Sequence, residues 1–351
     1  MWIIGCDLHT RYQQVAALDT TTGELLERRL SHEGSAVRQF YAALPQPSRV
    51  GIEATGHAQW FERLLAELGH QLWVGDAAEI RASVVRQQKY DTGDARHLLR
   101  LLAEDRFPRI WIPSAEEREV RQLLVHRSKL VGMRTSLRNQ LQAVARNHGL
   151  RRRRALWSGP GREKLAALPL GRWGSERRKD LVVFVDLLDA KIATLNQEVA
   201  AEAARRPEAM RLMQQPGVGP VTALAFVLTL GPIGRFRRSK QVVSYLGLNP
   251  REYSSGGRQR LGAISKQGNT LVRWLLVEAA QTAARFDPEL HRDYVRLKHR
   301  RGVGIAKVAV ARKLAVRLYG MLRTPEAVRA QRVSPQSSPC TGMVPQAGSN
   351  S

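Results

Sequence analysis

Cysteine is nearly absent: Cys6 and Cys340 are the only two in 351 residues, and neither sits in a Cys-x-x-Cys or histidine-rich cluster. That excludes a disulfide framework and structural zinc, and it fits the cytoplasm. Long apolar runs are missing too. None approaches the roughly 18 to 20 residues of a membrane-spanning helix, and the N-terminus opens on a strand pattern instead of a signal peptide, so no membrane partner is expected. Aromatic residues make up only 6% against 43% hydrophobic content, a balance that suits helix-rich globular domains with real cores. The deficit with the largest consequence is in acids. Asp and Glu number 31 against 56 Lys and Arg, giving a formal charge of +25 and a pI near 11.2. Solubility needs far less, so a polyanion is the expected partner, and with membranes set aside it is nucleic acid.

The few acids fall in a pattern. Residues 2–9 form a short apolar run closing on Asp7, residues 12–18 and 24–30 read as two further strands about a turn, and residues 49–56 give a strand closing on Glu53. With helices at 35–44, on the stripe Phe61, Leu64, Leu65 and Leu68, and at 77–85, plus a strand at 71–74, the order is β-β-β-α-β-α-β-α-α. Asp91 and Asp94 stand three apart where an extended segment runs into a helix at 95–104, on one face of its first turn. Taken alone, that pair also fits a helix N-terminus favoured by the dipole. In α/β sheets, however, functional groups gather where strands end, so Asp7, Glu53, Asp91 and Asp94 are expected to converge. Two carboxylates about 4 Å apart repel by ~4 kcal/mol at an effective dielectric of ~20, so such a cluster wants cations. Hard oxygen ligands suit Mg²⁺, with Mn²⁺ as the alternative.

Further along, residues 115–147 read as one long helix in which Leu123, Leu130, Leu137 and Val144 recur every seven residues, while the companion positions Val120, Arg127, Arg134 and Leu141 are apolar only at the ends. Residues 180–204 read as a second, with Leu181, Val185, Leu188, Ile192, Leu195 and Val199 alternating four and three apart. The two are expected to pair, as a hairpin or as a seam between copies. Between them Arg151, Arg152, Arg153 and Arg154 are basic enough for a phosphate backbone. Gly217-Val218-Gly219 resembles half of a helix-hairpin-helix DNA-binding element, although Gly-x-Gly also makes plain interhelical turns. From residue 231 to 275 nine basic residues, among them Arg235, Arg237, Arg238, Lys240, Arg258, Arg260, Lys266 and Arg273, meet one acid, Glu252, which marks a nucleic-acid face. Within it, Ser254-Ser255-Gly256-Gly257 reads from residue types alone as a flexible turn. Apolar-striped helices at 271–284 and 305–322 follow, then a tail rich in Pro, Ser and Gln that is expected to be disordered.

Gly5-Cys6-Asp7, Ile52-Glu53-Ala54-Thr55-Gly56 and Lys89-Tyr90-Asp91-Thr92-Gly93-Asp94-Ala95, in this strand order, resemble the RuvC-like, RNase H-fold domain of the DEDD transposases of insertion sequences. That group includes the bridge-RNA-guided recombinases and the Piv-type invertases. Tyr90 stands where the family usually has Thr, a departure outside the acids. Leu246-Gly247-Leu248-Asn249-Pro250, Ser255-Gly256-Gly257 and the run from Gly262 to Asn269 resemble the family's C-terminal transposase domain, whose nucleophilic serine precedes the glycine. The resemblance spans residues 2–320 and implies that the four acids bind the metal and that Ser255 is the nucleophile. Ser254 is the neighbouring alternative, and Ser265 a more distant one. It further implies DNA ends and target as substrates, a structured guide RNA, and assembly as a dimer or tetramer through a coiled coil.

The expected layout is a RuvC-like α/β catalytic domain at 1–107, a coiled-coil region at 108–205, a mainly α transposase domain with a helix-hairpin-helix-like element at 206–322, and a tail at 323–351. No local His or Asp serves the serine, so a composite site with the metal domain is expected. The expected function is an Mg²⁺-dependent DNA recombinase. A RuvC-like nuclease using water and a non-enzymatic nucleic-acid-binding protein are the alternatives, and only the serine recombinase forms a covalent adduct.

Overall fold

A computed structural model describes residues 1–83, 91–150, 155–253, 258 and 260–323, with Asp91 and Thr92 as backbone alone. Ser254, Ser255, the arginines at 151–154 and the tail from 324 lie outside the described residues. The chain divides into two units, Met1–Ile112 and Pro113–Ser351.

In the first unit β1 (Trp2–Leu8), β2 (Tyr12–Asp19) and β3 (Leu25–Ser31) form an antiparallel meander. Then come α1 (Ala36–Ala42), β4 (Arg49–Glu53), α2 (Gln59–Glu67), β5 (Gln71–Gly75), α3 (Ala77–Ala82) and α4 (Asp91–Ala103). β4 pairs parallel with β1 and β5 parallel with β4, so the sheet order is β3-β2-β1-β4-β5, consistent with an RNase H-like sheet.

Side chains alternate across each strand. Ile4, Cys6, Val50, Ile52 and Val74 face α1 and α2 and close a core with Tyr41, Phe61 and Leu65. Opposite, the strands present glycines. A Cβ on Gly5 would lie 2.2 Å from the Ala95 carbonyl oxygen, one on Gly51 would meet Leu102 and Phe107 at 2.9 Å, and one on Gly75 would meet Ile80 at 2.7 Å. α4 and Phe107 therefore rest on bare backbone. α4 also begins a full turn before the expected residue 95, which corrects the extended approach: Asp91 and Asp94 lie within the helix.

The second unit opens with α5 (Ala115–Asn147), started by a capping box between Ser114 and Glu117, and continues through α6 (Gly159–Ala166) to α7 (Arg172–Ala204). α5 and α7 pair antiparallel within the chain: Leu141 and Ala145 share a cluster with Leu181 and Val185, while Val120 and Leu124 share one with Val199 and Ala203. The middle of this seam is polar. Arg134 and Arg138 donate to the two carboxylate oxygens of Asp189 at 2.9 and 2.6 Å, and Arg127 donates to Asn196 at 2.7 Å. α7 starts eight residues before the expected 180, and α6 occupies part of the link between the two long helices. Leu156 and Leu165 hold that link in the small core formed by Leu141, Leu181 and Val185.

Beyond lie α8 (Pro207–Leu212), α9 (Pro220–Leu230), α10 (Ser239–Tyr245), a hairpin of β6 (Pro250–Glu252) and β7 (Leu261–Ile264), α11 (Thr270–Phe286) and α12 (Pro288–Leu322). α9 is apolar almost all round, as a central helix must be, and Leu224, Phe226, Leu228 and Leu230 are fully buried. α12 is broken at Gly302 (φ 81°, ψ 166°) into two arms.

Candidate active site and nucleic-acid interface

Two of the four acids are set by the sheet. Cys6 pairs with Ile52 across parallel β1 and β4, so Asp7 and Glu53 sit one step further along neighbouring strands, at the ends where both strands stop. Alternation puts Asp7 on the face of Gly5 and Glu53 on the face of Gly51, which is the face covered by α4. Asp94 directly precedes Ala95, whose carbonyl rests on Gly5, and Asp91 lies one turn before Ala95 on the same helix. The elements that carry the acids thus meet at the C-terminal ends of two inner strands. Among the described residues no group of three or more His, Cys, Asp or Glu side chains is gathered to hold a metal, and the Asp91 side chain lies outside them. The donor set is all carboxylate oxygen, and the Glu53 side chain is 43% exposed, so water and phosphate oxygens keep access. Such hard, open donors fit a divalent cation of the Mg²⁺ or Mn²⁺ kind.

The partners of these acids escaped the sequence analysis. His9 Nε2 lies 2.9 Å from Asp7 Oδ2, and its ring stacks on Tyr12 at 4.5 Å between centroids, with Arg29 also over the tyrosine ring at 3.8 Å. Arg81 of α3 approaches Glu53 at 3.8 Å. On α4, His97 Nε2 lies 2.8 Å from Ser83 Oγ and 3.3 Å from the Ile80 carbonyl, tying α3 to α4. Burial pushes the His97 imidazole below its ordinary pKa, so it holds that junction as a neutral ring. The spacing Asp7-Leu8-His9 was the available signal, since residues two apart on a strand share a face.

In the second unit Ser254 and Ser255 fall between β6 and β7, outside the described residues, while the arms that lead to them are in place. The loops at the base of this hairpin cross backbone to backbone: a Cβ on Gly247 would lie 2.1 Å from the Gln267 carbonyl oxygen, and one on Gly268 equally close to that of Tyr245. This gives the Leu-Gly-Leu-x-Pro and Lys-x-Gly-Asn motifs a packing reason. Ser265 is held in the ladder, its N–H donating to Asn249 at 2.8 Å, and Asn269 caps α11.

Arg237, Arg238, Lys240, Arg258, Arg260 and Lys266 are all exposed, as a nucleic-acid face requires. Two of the counted bases serve the fold. Arg273 is 7% exposed and donates to the carbonyls of Leu246 and Gln267, which removes it from that face. Arg235 donates to the Leu230 carbonyl at 2.8 Å and lies over the rings of Phe236 and Tyr245. At Gly217-Val218-Gly219 the tight contact is internal: a Cβ on Gly217 would sit 2.6 Å from the Ala279 carbonyl oxygen of α11, and Val218 is buried.

Comparison with known proteins bears on both units. Residues 4–148 match a DEDD-type transposase family model, and residues 209–295 match a second, described as transposase IS116/IS110/IS902 family. A probable family 20 transposase of Pseudomonas aeruginosa is 32% identical over 328 residues, covering 91% of this chain and 96% of that protein. The transposase for insertion sequence element IS1111A of Coxiella burnetii is 27% identical over 344 residues, covering 93% of this chain and 91% of its own. Transposases of this kind bind DNA, cleave it and transfer its strands, and the DEDD type works with a divalent metal. No helix among the described residues is long and apolar enough to cross a membrane. With one model matched in each unit and a relative aligned over nearly the whole length, the chain belongs to the IS116/IS110/IS902 family of transposases.

Proposed function

We propose that this transposase cuts and rejoins the ends of its insertion sequence with Asp7, Glu53, Asp91 and Asp94 as ligands of Mg²⁺ or Mn²⁺ and Ser255 as the attacking group. The observation that carries the metal site is the placement of Asp7 and Glu53 at adjacent ends of parallel strands, on the face where α4 brings its acidic first turn. When bound, the metal supplies charge stabilisation at the phosphodiester. Ser255 Oγ loses its proton and forms a bond to phosphorus as one phosphorus–oxygen bond to deoxyribose breaks, and the freed sugar oxygen takes up a proton. The phosphoserine ester keeps the bond energy for strand joining. Arg258, Arg260 and Lys266 neutralise charge on the phosphate beside the hairpin, and Asp7 is oriented by His9. The family resemblance extends this proposal to guidance by a structured RNA and to work as a dimer or tetramer.

The test is denaturing electrophoresis of the protein with labelled element-end DNA, guide RNA and Mg²⁺. Wild type is expected to give a covalent protein–DNA adduct. Ser255→Ala, Asp7→Asn and Glu53→Gln are expected to give none while still binding DNA. An adduct that survives Ser255→Ala overturns the serine, and Mg²⁺-dependent cleavage with no adduct in wild type assigns the attack to water.

A further inference from the structure

α12 carries a second Gly-Val-Gly, at Gly302-Val303-Gly304, and its setting is the reverse of the first. The two arms of the helix fold back on each other: Asp293 on the first arm pairs with Lys313 on the second, and Asp287 and Glu289 pair with Arg317. These links are centred on Val303, which makes α12 a helical hairpin with its tip at 298–305. Every residue of that tip is exposed, including Val303 and Ile305 at 44% and 57%. A Cβ on Gly302 or Gly304 would meet nothing within 4 Å, so the main chain there borders open space, whereas Gly217 is pressed on α11. The positive φ at Gly302 makes glycine the residue that allows the turn.

Charge at the tip is one-sided. From Leu297 to Arg323 the sequence holds eight Lys and Arg and no acid. The acids of the first arm are taken up by Arg296, Lys313 and Arg317. Lys298, Arg300, Arg301 and Lys307 form no ion pair or side-chain hydrogen bond with the described residues, so their charge is available outward. We propose that the α12 tip is a docking surface for the sugar–phosphate backbone of duplex DNA, with Lys298, Arg300, Arg301 and Lys307 on phosphates and Val303 and Ile305 against deoxyribose. Cations beside exposed main chain recognise a backbone and read no base, so the contact is independent of sequence. The choice of DNA rests on the family's DNA-handling function.

The experiment is fluorescence anisotropy with a labelled DNA duplex and, separately, a structured RNA, over a salt series, using the full chain. Lys298→Gln/Arg300→Gln/Arg301→Gln is compared with Lys129→Gln/Arg146→Gln/Lys191→Gln, which removes the same formal charge from exposed positions of α5 and α7. The tip variant is expected to melt like wild type and to bind DNA more weakly, with a log–log salt slope shallower by ~2.7 for three lost phosphates. Wild-type binding and its salt slope test DNA handling itself, and the difference between the two variants tests the tip. Equal losses in both variants, no loss in the tip variant, or a loss confined to RNA overturns the proposal.

Discussion

One methyl group at Gly5 tests how the acids are held. With the Ala95 carbonyl oxygen 2.2 Å and the Leu99 nitrogen 2.4 Å from where a Cβ would stand, Gly5→Ala must lift α4 from the sheet. Both obstacles are backbone, so no side chain can swing aside to make room. The expected cost is ~3 kcal/mol in urea denaturation, the upper end for overpacking. Metal-dependent cleavage should fall as well, although no carboxylate has been touched, because Asp94 moves with Ala95. Gly132→Ala is the contrast. It sits mid-helix in α5 with nothing within 4 Å of a Cβ and should stabilise by ~0.5 to 1 kcal/mol. Equal effects of the two substitutions would mean that α4 does not bear on Gly5.

At the scale of elements, α12 offers a test in acid. Asp293 is 9% exposed, and the hydrogen bond from Lys313, helped by Arg296, holds its carboxyl below the ordinary value of 3.8. A depressed carboxylate stabilises the fold above its unfolded pKa and loses that contribution as pH falls through its folded value. Asp293→Asn is expected to cost ~1 kcal/mol at neutral pH, its two partners being largely exposed. The gap to wild type should close as pH drops below 3.8. Denaturation at pH 7, 5 and 3 measures it, and a gap independent of pH would remove Asp293 from the tie.

Elements also show what could be read in advance. The strands of the first unit were legible because their short apolar runs are marked by the acids Asp7 and Glu53, both only partly buried. The early start of α7 was not: Arg172 to Lys179 holds four bases and no apolar period, and tertiary contacts of Arg178 with the Leu165 and Leu168 carbonyls help hold it. The β6–β7 hairpin was missed because its strands of three and four residues are mostly exposed and give no alternation. The companion positions of the α5 heptads are apolar only at the ends, and in the structure Arg134, with Arg138, fills the middle of the seam opposite Asp189. Gly-Val-Gly could not by itself tell packing from docking; only the α11 backbone against Gly217 and the open space beside Gly302 separate the two.

Across the whole molecule, each unit closes its own core, around Tyr41, Phe61 and Leu65 in the first and Leu224, Phe226 and Leu314 in the second. Calorimetry of the full chain is expected to resolve two transitions, one lowered by Gly5→Ala and the other raised by Gly132→Ala. A single transition shifted by both would contradict separate cores. The glycine floor under α4 has a further consequence for how this transposase can diverge. On the α1 and α2 side of the sheet, Ile4, Val50, Ile52 and Val74 can trade volume with one another over generations, and a lost methylene in one place can be made up in another. On the α4 side Gly5, Gly51 and Gly75 have nothing to trade. At Gly5, two residues before Asp7, helix and sheet meet main chain to main chain, so one side of the sheet can wander in sequence while the other keeps its gauge at that point.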